Sequence, residues 1–279
     1  MICDVEINSA FYGNHQVLED IRFNLNKGDI LAIVGESGTG KTTLARIISG
    51  LYRFYGLKFD GKVDIDGKID VVPQNITDSL DPLFSIESQL REIKDDLDSI
   101  KKILAKVGFV DVERILKSYP HNLSGGMKQR VLIAMALLNA DIVMADEFTS
   151  ALDTITKLKI VELLKKLNEN ENITIIFITH DMELLEFDGD IIVMFGGRIV
   201  EKGKILDVKS NPLHPYTRFL INATPRLNMH YSKDRFNQIE IDKDAACPFI
   251  KTCSKAKEIC RNKKPPLKEV KGRFVRCHF

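Results

Sequence analysis

One nine-residue segment, Gly35-Glu36-Ser37-Gly38-Thr39-Gly40-Lys41-Thr42-Thr43, most narrows what this chain can become. It fits G-x-x-x-x-G-K-[ST] and follows the apolar run Ile30-Leu31-Ala32-Ile33-Val34, which reads as a buried strand. After it, Leu44-Ala45-Arg46-Ile47-Ile48 reads as the first turns of a helix. That strand–loop–helix context is what gives the motif its meaning. Glycines let the backbone wrap closely around phosphates, so that loop N–H groups and the helix N-terminus face the negative charge. On this reading Gly35, Ser37, Gly38, Thr39, Gly40 and Thr43 build the cradle. Lys41 supplies a point charge for the β- and γ-phosphates, and the Thr42 hydroxyl is placed to ligate Mg²⁺. The segment implies a nucleoside triphosphate ligand.

The chain of 279 residues can hold one large domain with an appendage, or two modest domains. Its 40 basic and 39 acidic residues nearly cancel, which argues against a dedicated nucleic-acid binder. No apolar run reaches the roughly 18–20 residues of a membrane span. The start, Met1-Ile2-Cys3-Asp4-Val5-Glu6, is acidic and unlike a signal peptide. A cytosolic chain is expected, with any membrane role arising through a partner.

Residues 2–7 and 21–25 alternate apolar with polar, as half-buried strands do, around a turn at Tyr12-Gly13-Asn14-His15. Gly61 and Gly67 break the stretch from Lys58 to Val72, which suggests small antiparallel strands. From Ser79 to about Ala140 the spacing is helical, with Ile93, Leu97, Ile100, Leu104 and Val107 three or four residues apart. Residues 141–146 read as a buried strand ending in a carboxylate. Residues 156–168 read as an amphipathic helix with Leu158, Val161, Leu164 and Leu167 on one face. Ile173–Thr179 and Ile191–Phe195 are further buried strands. Strands alternating with helices predict an open, mainly parallel α/β sheet.

Asp146 and Glu147 follow the strand at 141–146 directly. A strand-end acid can hold Mg²⁺ through its water shell, and a second carboxylate can position an attacking water. Between this pair and the phosphate loop lies Leu123-Ser124-Gly125-Gly126-Met127-Lys128-Gln129-Arg130. A Ser and two Gly at a helix start offer a hydroxyl and N–H groups to an anion. The octet resembles the signature of the ATP-binding cassette ATPases.

Several positions then carry that resemblance one by one. Tyr12 stands where the family places an aromatic that stacks on adenine. Gln74, in Val71-Val72-Pro73-Gln74-Asn75, resembles the glutamine that contacts Mg²⁺ and water and couples to a helical subdomain. Ser150-Ala151-Leu152-Asp153 resembles the loop that crosses a dimer interface, and His180 in Ile178-Thr179-His180-Asp181 resembles the switch histidine at the γ-phosphate. Phe148 departs from the pattern, standing where the family has Pro after its Asp-Glu pair, so Glu147 is expected to be held less rigidly.

The resemblance implies a P-loop NTPase fold of cassette type with a parallel core sheet. A small antiparallel β subdomain and an α-helical signature subdomain at about residues 76–140 complete a cassette spanning 1–205. It also implies ATP and Mg²⁺ as ligands. Two ATPase subunits would close head to tail, with ATP between the phosphate loop of one and Ser124-Gly125-Gly126 of the other. Glu147 would act as base or water orienter, and His180 and Gln74 would complete the catalytic set.

Residues 206–279 form an extension. Asn211-Pro212-Leu213-His214-Pro215-Tyr216-Thr217-Arg218, followed by Ala223-Thr224-Pro225-Arg226, is similar to the NPxHPYT segment of importer ATPases for oligopeptides, dipeptides and nickel. From physics alone, its two prolines mark a rigid connection before a short helix. Of five cysteines, Cys3 is isolated, whereas Cys247, Cys253, Cys260 and Cys277 crowd the end. In a reducing compartment such crowding favours metal or cluster ligation over disulfides. The tail is similar to that of the same importers, where four cysteines can hold an iron–sulfur cluster. Four thiolates suit a cubane or a tetrahedral zinc, and unligated thiols are the third reading. The lack of C-x₂-C pairs favours [4Fe–4S].

The resemblance implies an importer ATPase for peptides or for nickel, cobalt or metallophore complexes, peripheral on the cytoplasmic face of the membrane. Its partners would be a second, homologous ATPase chain and two permease subunits, with an extracellular binding protein acting indirectly and no nucleic acid. The alternatives are a soluble cassette ATPase outside transport, or a regulatory partner that binds ATP and hydrolyses it weakly.

Overall fold

The computed structural model describes residues 1–73, 75, 78–147, 153–223, 241–242 and 244–279. A long hairpin comes first. Strands β1 (Cys3–Tyr12) and β2 (His15–Leu25) are antiparallel, and the chain reverses at Gly13, whose φ is +56°. Val5, Ile7, Ile21 and Phe23 are buried while Glu6, Asn8 and Arg22 face solvent, the period of two expected of a half-covered sheet. Strand β3 (Ile30–Val34) is buried along its whole length and leads through the phosphate loop into α1 (Lys41–Ile48). Strand β4 (Leu57–Ile65) completes a three-stranded sheet of order β2-β1-β4.

Two expectations for this stretch need correction. Gly61 does not break β4. A Cβ there would lie 2.1 Å from the Glu6 carbonyl oxygen, so the missing side chain is what lets β4 come close to β1. Nor is the next strand, β5 (Ile69–Val72), part of an antiparallel subdomain: it runs parallel to β6 (Ile142–Asp146).

Helices α2 (Ile86–Ile93), α3 (Leu97–Lys106), α4 (Val112–Lys117) and α5 (Gly125–Leu137) fill the segment between them. Each begins at an oxygen-bearing cap, Ser85, Asp96, Asp111 and Ser124, whose side chain accepts an otherwise orphan N–H. Helix α6 (Thr154–Glu171) begins likewise at Asp153. Its buried face comprises Ile160, Val161, Leu164 and Leu167, while Leu158 is 47% exposed. The apolar stripe therefore starts two residues later than the sequence suggested, because 160, 161, 164 and 167 keep the three-to-four spacing of one helix face. Strand β7 (Thr174–Thr179) follows, then β8 (Asp190–Phe195) and β9 (Arg198–Lys204).

The extension is built from α7 (Ile205–Ser210), α8 (Pro215–Ala223), α9 (Glu258–Asn262), β10 (Leu267–Val270) and β11 (Arg273–Arg276). The described residues group into two compact units. One comprises 1–2, 26–29 and 65–177, the other 3–25, 30–64 and 178–279. In the first, β5 and β6 are parallel neighbours. In the second, β3 and β8 are parallel, and β9, β11 and β10 follow antiparallel. The parallel pairing expected of the core strands is present, and β9, β11 and β10 add an antiparallel edge that the alternation of strands and helices does not announce.

Candidate nucleotide-binding site

The phosphate loop is held from several sides within its own unit. Lys41, 3% exposed, donates from Nζ to the carbonyls of Gly35 at 2.7 Å and Glu36 at 2.9 Å. The Thr39 hydroxyl also donates to the Glu36 carbonyl at 2.8 Å. The Gly197 N–H donates to the Thr39 carbonyl at 3.1 Å. Two glycines are required by geometry. A Cβ on Gly35 would stand 2.5 Å from the Met194 carbonyl oxygen, and Gly40 has φ +104°, a conformation costly for any L side chain. Ser37, Gly38 and Thr42 are exposed at the loop and the head of α1, and Thr43 is half-buried. The loop thus presents backbone amides, a buried ammonium and exposed hydroxyls, a donor set suited to phosphate and to a hard cation.

Tyr12 ends β1 half-buried, and its hydroxyl accepts from Arg46 Nη1 at 2.9 Å. The same guanidinium lies over the Tyr55 ring, 3.7 Å from its centroid. Sequence reasoning found Tyr12 but not this clamp; the adjacent aromatics Tyr52, Phe54 and Tyr55 were the available signal.

His180 is exposed immediately after β7, where the Asp181 N–H donates to the Thr179 hydroxyl at 3.0 Å. In the other unit, Asp146 closes β6 half-buried. Glu147 follows with φ +43°, a left-handed backbone that a non-glycine residue rarely adopts and that clusters at functional sites. Ser124 caps α5, its hydroxyl accepting the Met127 N–H at 3.3 Å, and Gly125 and Gly126 form the first turn. A Cβ on Gly126 would lie 3.1 Å from Thr156 Cγ2, so the signature helix approaches α6 closely at this point. Arg130 ties the same helix to the end of α3, donating to the Gly108 carbonyl at 2.8 Å and covering the Phe109 ring. Gln74, Phe148, Ser150, Ala151, Leu152 and Thr224–Arg226 lie outside the described residues.

The extension folds onto the unit that carries the phosphate loop. Glu201, fully buried in β9, accepts the N–H groups of Leu213 and His214, each at 2.9 Å. Arg273 donates to the carbonyls of Asp207 and Asn211, fixing the segment between them. Arg276 donates to the Ile199 carbonyl at 2.9 Å and to the Asp20 carboxylate at 2.7 Å. Burial pushes the Asp20 carboxyl up, but the Arg276 and Arg22 guanidiniums outweigh it and hold the group below its usual range. Sequence reasoning missed Glu201; a lone acid among buried strand residues, with arginines downstream, was the available sign.

Cys247, Cys253, Cys260 and Cys277 line one cavity, together with His214 and Phe249. Burial raises the Cys247 and Cys253 thiols above their ordinary range, and the neighbouring sulfurs add to it. Among the described residues, no three His, Cys, Asp or Glu side chains converge as ligands of a single ion. Cys3 stands apart, its thiol pushed up to about 11 by burial and by Asp4.

A family model described as ABC transporter matches residues 18–150, and one described as the C-terminal region of oligopeptide/dipeptide transporters matches residues 200–260. The oligopeptide transport ATP-binding protein AppD of Bacillus subtilis is 34% identical, over 93% of this chain and 90% of its own. The chain belongs to the ATP-binding cassette family. The dipeptide transport ATP-binding protein DppF of Haemophilus influenzae is likewise 34% identical, over 94% of this chain and 88% of its own. Among solved structures, cbiO1 from Clostridium perfringens is 26% identical with a TM-score of 0.66, covering 75% of this chain and 91% of its own. The cassette MJ0796, dimeric in a post-hydrolysis state with ADP and Pi, is 29% identical with a TM-score of 0.61, covering 74% and 99%. The fold is that of the P-loop NTPases, and the chain is an ATPase of the cassette class.

Proposed function

We propose that this chain is the ATP-hydrolysing subunit of a peptide importer. The observation that carries the reading is the union, in one chain, of a cassette match and an oligopeptide/dipeptide transporter C-terminal match. The names of the relatives, oligopeptide and dipeptide transport ATP-binding proteins, support peptides over nickel or other metal complexes.

In the proposed mechanism, the amides of Gly35 to Thr43 and the Lys41 ammonium take the phosphates, and Tyr12 stacks on the base. Thr42, Asp146 and Gln74 would hold Mg²⁺, which neutralises phosphate charge when bound. Glu147 accepts a proton from the water that attacks the γ-phosphorus as the bond to the ADP oxygen breaks. His180 donates a hydrogen bond to the γ-phosphate, and Ser124, Gly125 and Gly126 engage the nucleotide of a second ATPase subunit. Residues 1–205 form the cassette, with 76–140 as its helical subdomain. Two permease subunits hold the assembly on the cytoplasmic face, and an extracellular binding protein delivers the peptide. No helix among the described residues is long and apolar enough to cross a membrane, in keeping with that arrangement.

Residues 206–279 form the extension, in which Cys247, Cys253, Cys260 and Cys277 would hold a [4Fe–4S] cluster. A bound cluster supplies a covalent staple to a segment too small to build a large core.

Glu147→Gln tests the reading. With ATP and Mg²⁺ the variant should accumulate as a nucleotide-bound pair of ATPase subunits, seen by size exclusion. Hydrolysis at the parent rate would remove Glu147 from its role. Failure of the parent to co-purify with permease chains would refute the importer.

A further inference from the structure

The HPYT segment reaches the phosphate loop. Tyr216, fully buried in α8, accepts the Glu36 N–H on its hydroxyl at 2.9 Å. Glu36 is the second residue of the loop, and its carbonyl receives both Lys41 Nζ and the Thr39 hydroxyl. Glu36 is therefore held at its N–H by the extension and at its carbonyl by Thr39 and Lys41 of the loop. The first of these contacts joins residues 180 positions apart in sequence.

Tyr216 is in turn fixed by the cysteine cavity. Its N–H donates to His214 Nδ1 at 3.0 Å, and the His214 N–H is held by Glu201. Its ring lies 4.4 Å from that of Phe195 and 5.5 Å from that of Phe249, centroid to centroid. Phe249 follows Cys247 by two residues, and its carbonyl accepts the Cys253 N–H at 3.1 Å. The ring that walls Tyr216 thus stands between two of the four cysteines. His214 and Phe249 also line the cavity into which all four cysteines open.

We propose that Tyr216 is a positioning residue for the phosphate loop, and that it makes nucleotide affinity depend on the ordered state of the four-cysteine cavity. The physical reason is preorganisation. Binding a triphosphate requires the loop in one closed shape, and a loop already held there loses less freedom on binding. Without the hydroxyl, the loop in its present shape would carry an unpaired, part-buried N–H, which weakens that shape and with it the binding that depends on it. This inference rests on the nucleotide reading above and adds a regulatory input to it.

Tyr216→Phe keeps the ring and deletes only the acceptor. In the full chain, titration with a fluorescent ATP analogue should show Kd about fivefold weaker, the equivalent of about 1 kcal/mol. KM for ATP should rise in step while kcat stays near the parent value. A Kd within 1.5-fold of the parent, even with a lowered unfolding midpoint, would reduce Tyr216 to a packing residue and overturn the inference.

The cavity's share is measured by a double-mutant cycle with Cys253→Ser, or with Phe249→Leu if the serine variant does not fold. The double variant should bind no more weakly than Tyr216→Phe alone, because both changes act through one hydroxyl. Fully additive losses would overturn the link to the cavity. If the parent itself shows no saturable nucleotide binding, the nucleotide reading fails too; if the parent binds and Tyr216→Phe matches it, only the positioning role is lost.

Discussion

His214 should make the extension sensitive to mild acid. Its imidazole is 3% exposed, Nδ1 accepts the Tyr216 N–H, and a further hydrogen bond joins the ring to the Arg276 backbone. Burial penalises the charged form more than that backbone contact favours it, lowering the pKa from 6.5 to about 4. The sign follows from proton counting. Between pH 4 and 6.5 the unfolded chain binds a proton at this position that the folded chain refuses, so stability rises with pH across that window. The full effect of 2.5 pH units is about 3 kcal/mol, of which about 2 kcal/mol is lost between pH 7 and pH 5. Urea unfolding followed by circular dichroism at those two pH values, in the parent and in His214→Gln, isolates this group. The parent should lose about 2 kcal/mol more than the variant. Parallel pH curves, or a His214 resonance titrating near 6.5, would refute the reasoning.

Three further outcomes are expected. Lys41→Ala should abolish nucleotide binding by equilibrium dialysis, because it removes the buried ammonium that closes the loop; undiminished binding would refute the cradle. Gly40→Ala, with φ +104° and a Cβ 2.7 Å from Leu18 Cδ2, should cost about 1–2 kcal/mol in thermal unfolding and weaken nucleotide binding. Anaerobically purified parent protein should show broad brown absorbance that Cys253→Ser lacks; a colourless protein carrying stoichiometric zinc would favour the other metal.

Much of the cassette could be read from short spans of chain. The loop at 35–43 declares itself because its chemistry is local: glycines for backbone reach, a lysine that folds back on Gly35 and Glu36, and a helix beginning at Lys41. The caps at Ser85, Asp96, Asp111, Ser124 and Asp153 are equally local, each bonding within three residues. Errors arose where distant strands decided the outcome. Gly61 looked like a breaker because the Glu6 carbonyl that excludes its side chain lies far away in sequence. Leu158 looked buried because periodicity cannot tell which edge of a helix stripe meets the core.

The extension divides the same way. Proline, histidine and tyrosine at 212–216 were visible as a motif without a task, and four terminal cysteines as donors without a geometry. Sequence alone determined the chemical inventory, since residue identity and near-neighbour spacing set what can bind a phosphate or a metal. Folding decided which groups meet: Tyr216 with Glu36, Glu201 with the His214 backbone, and four thiols in one cavity. The first two contacts join residues 180 and 13 positions apart, and only the packing of the intervening elements brings them within hydrogen-bonding reach.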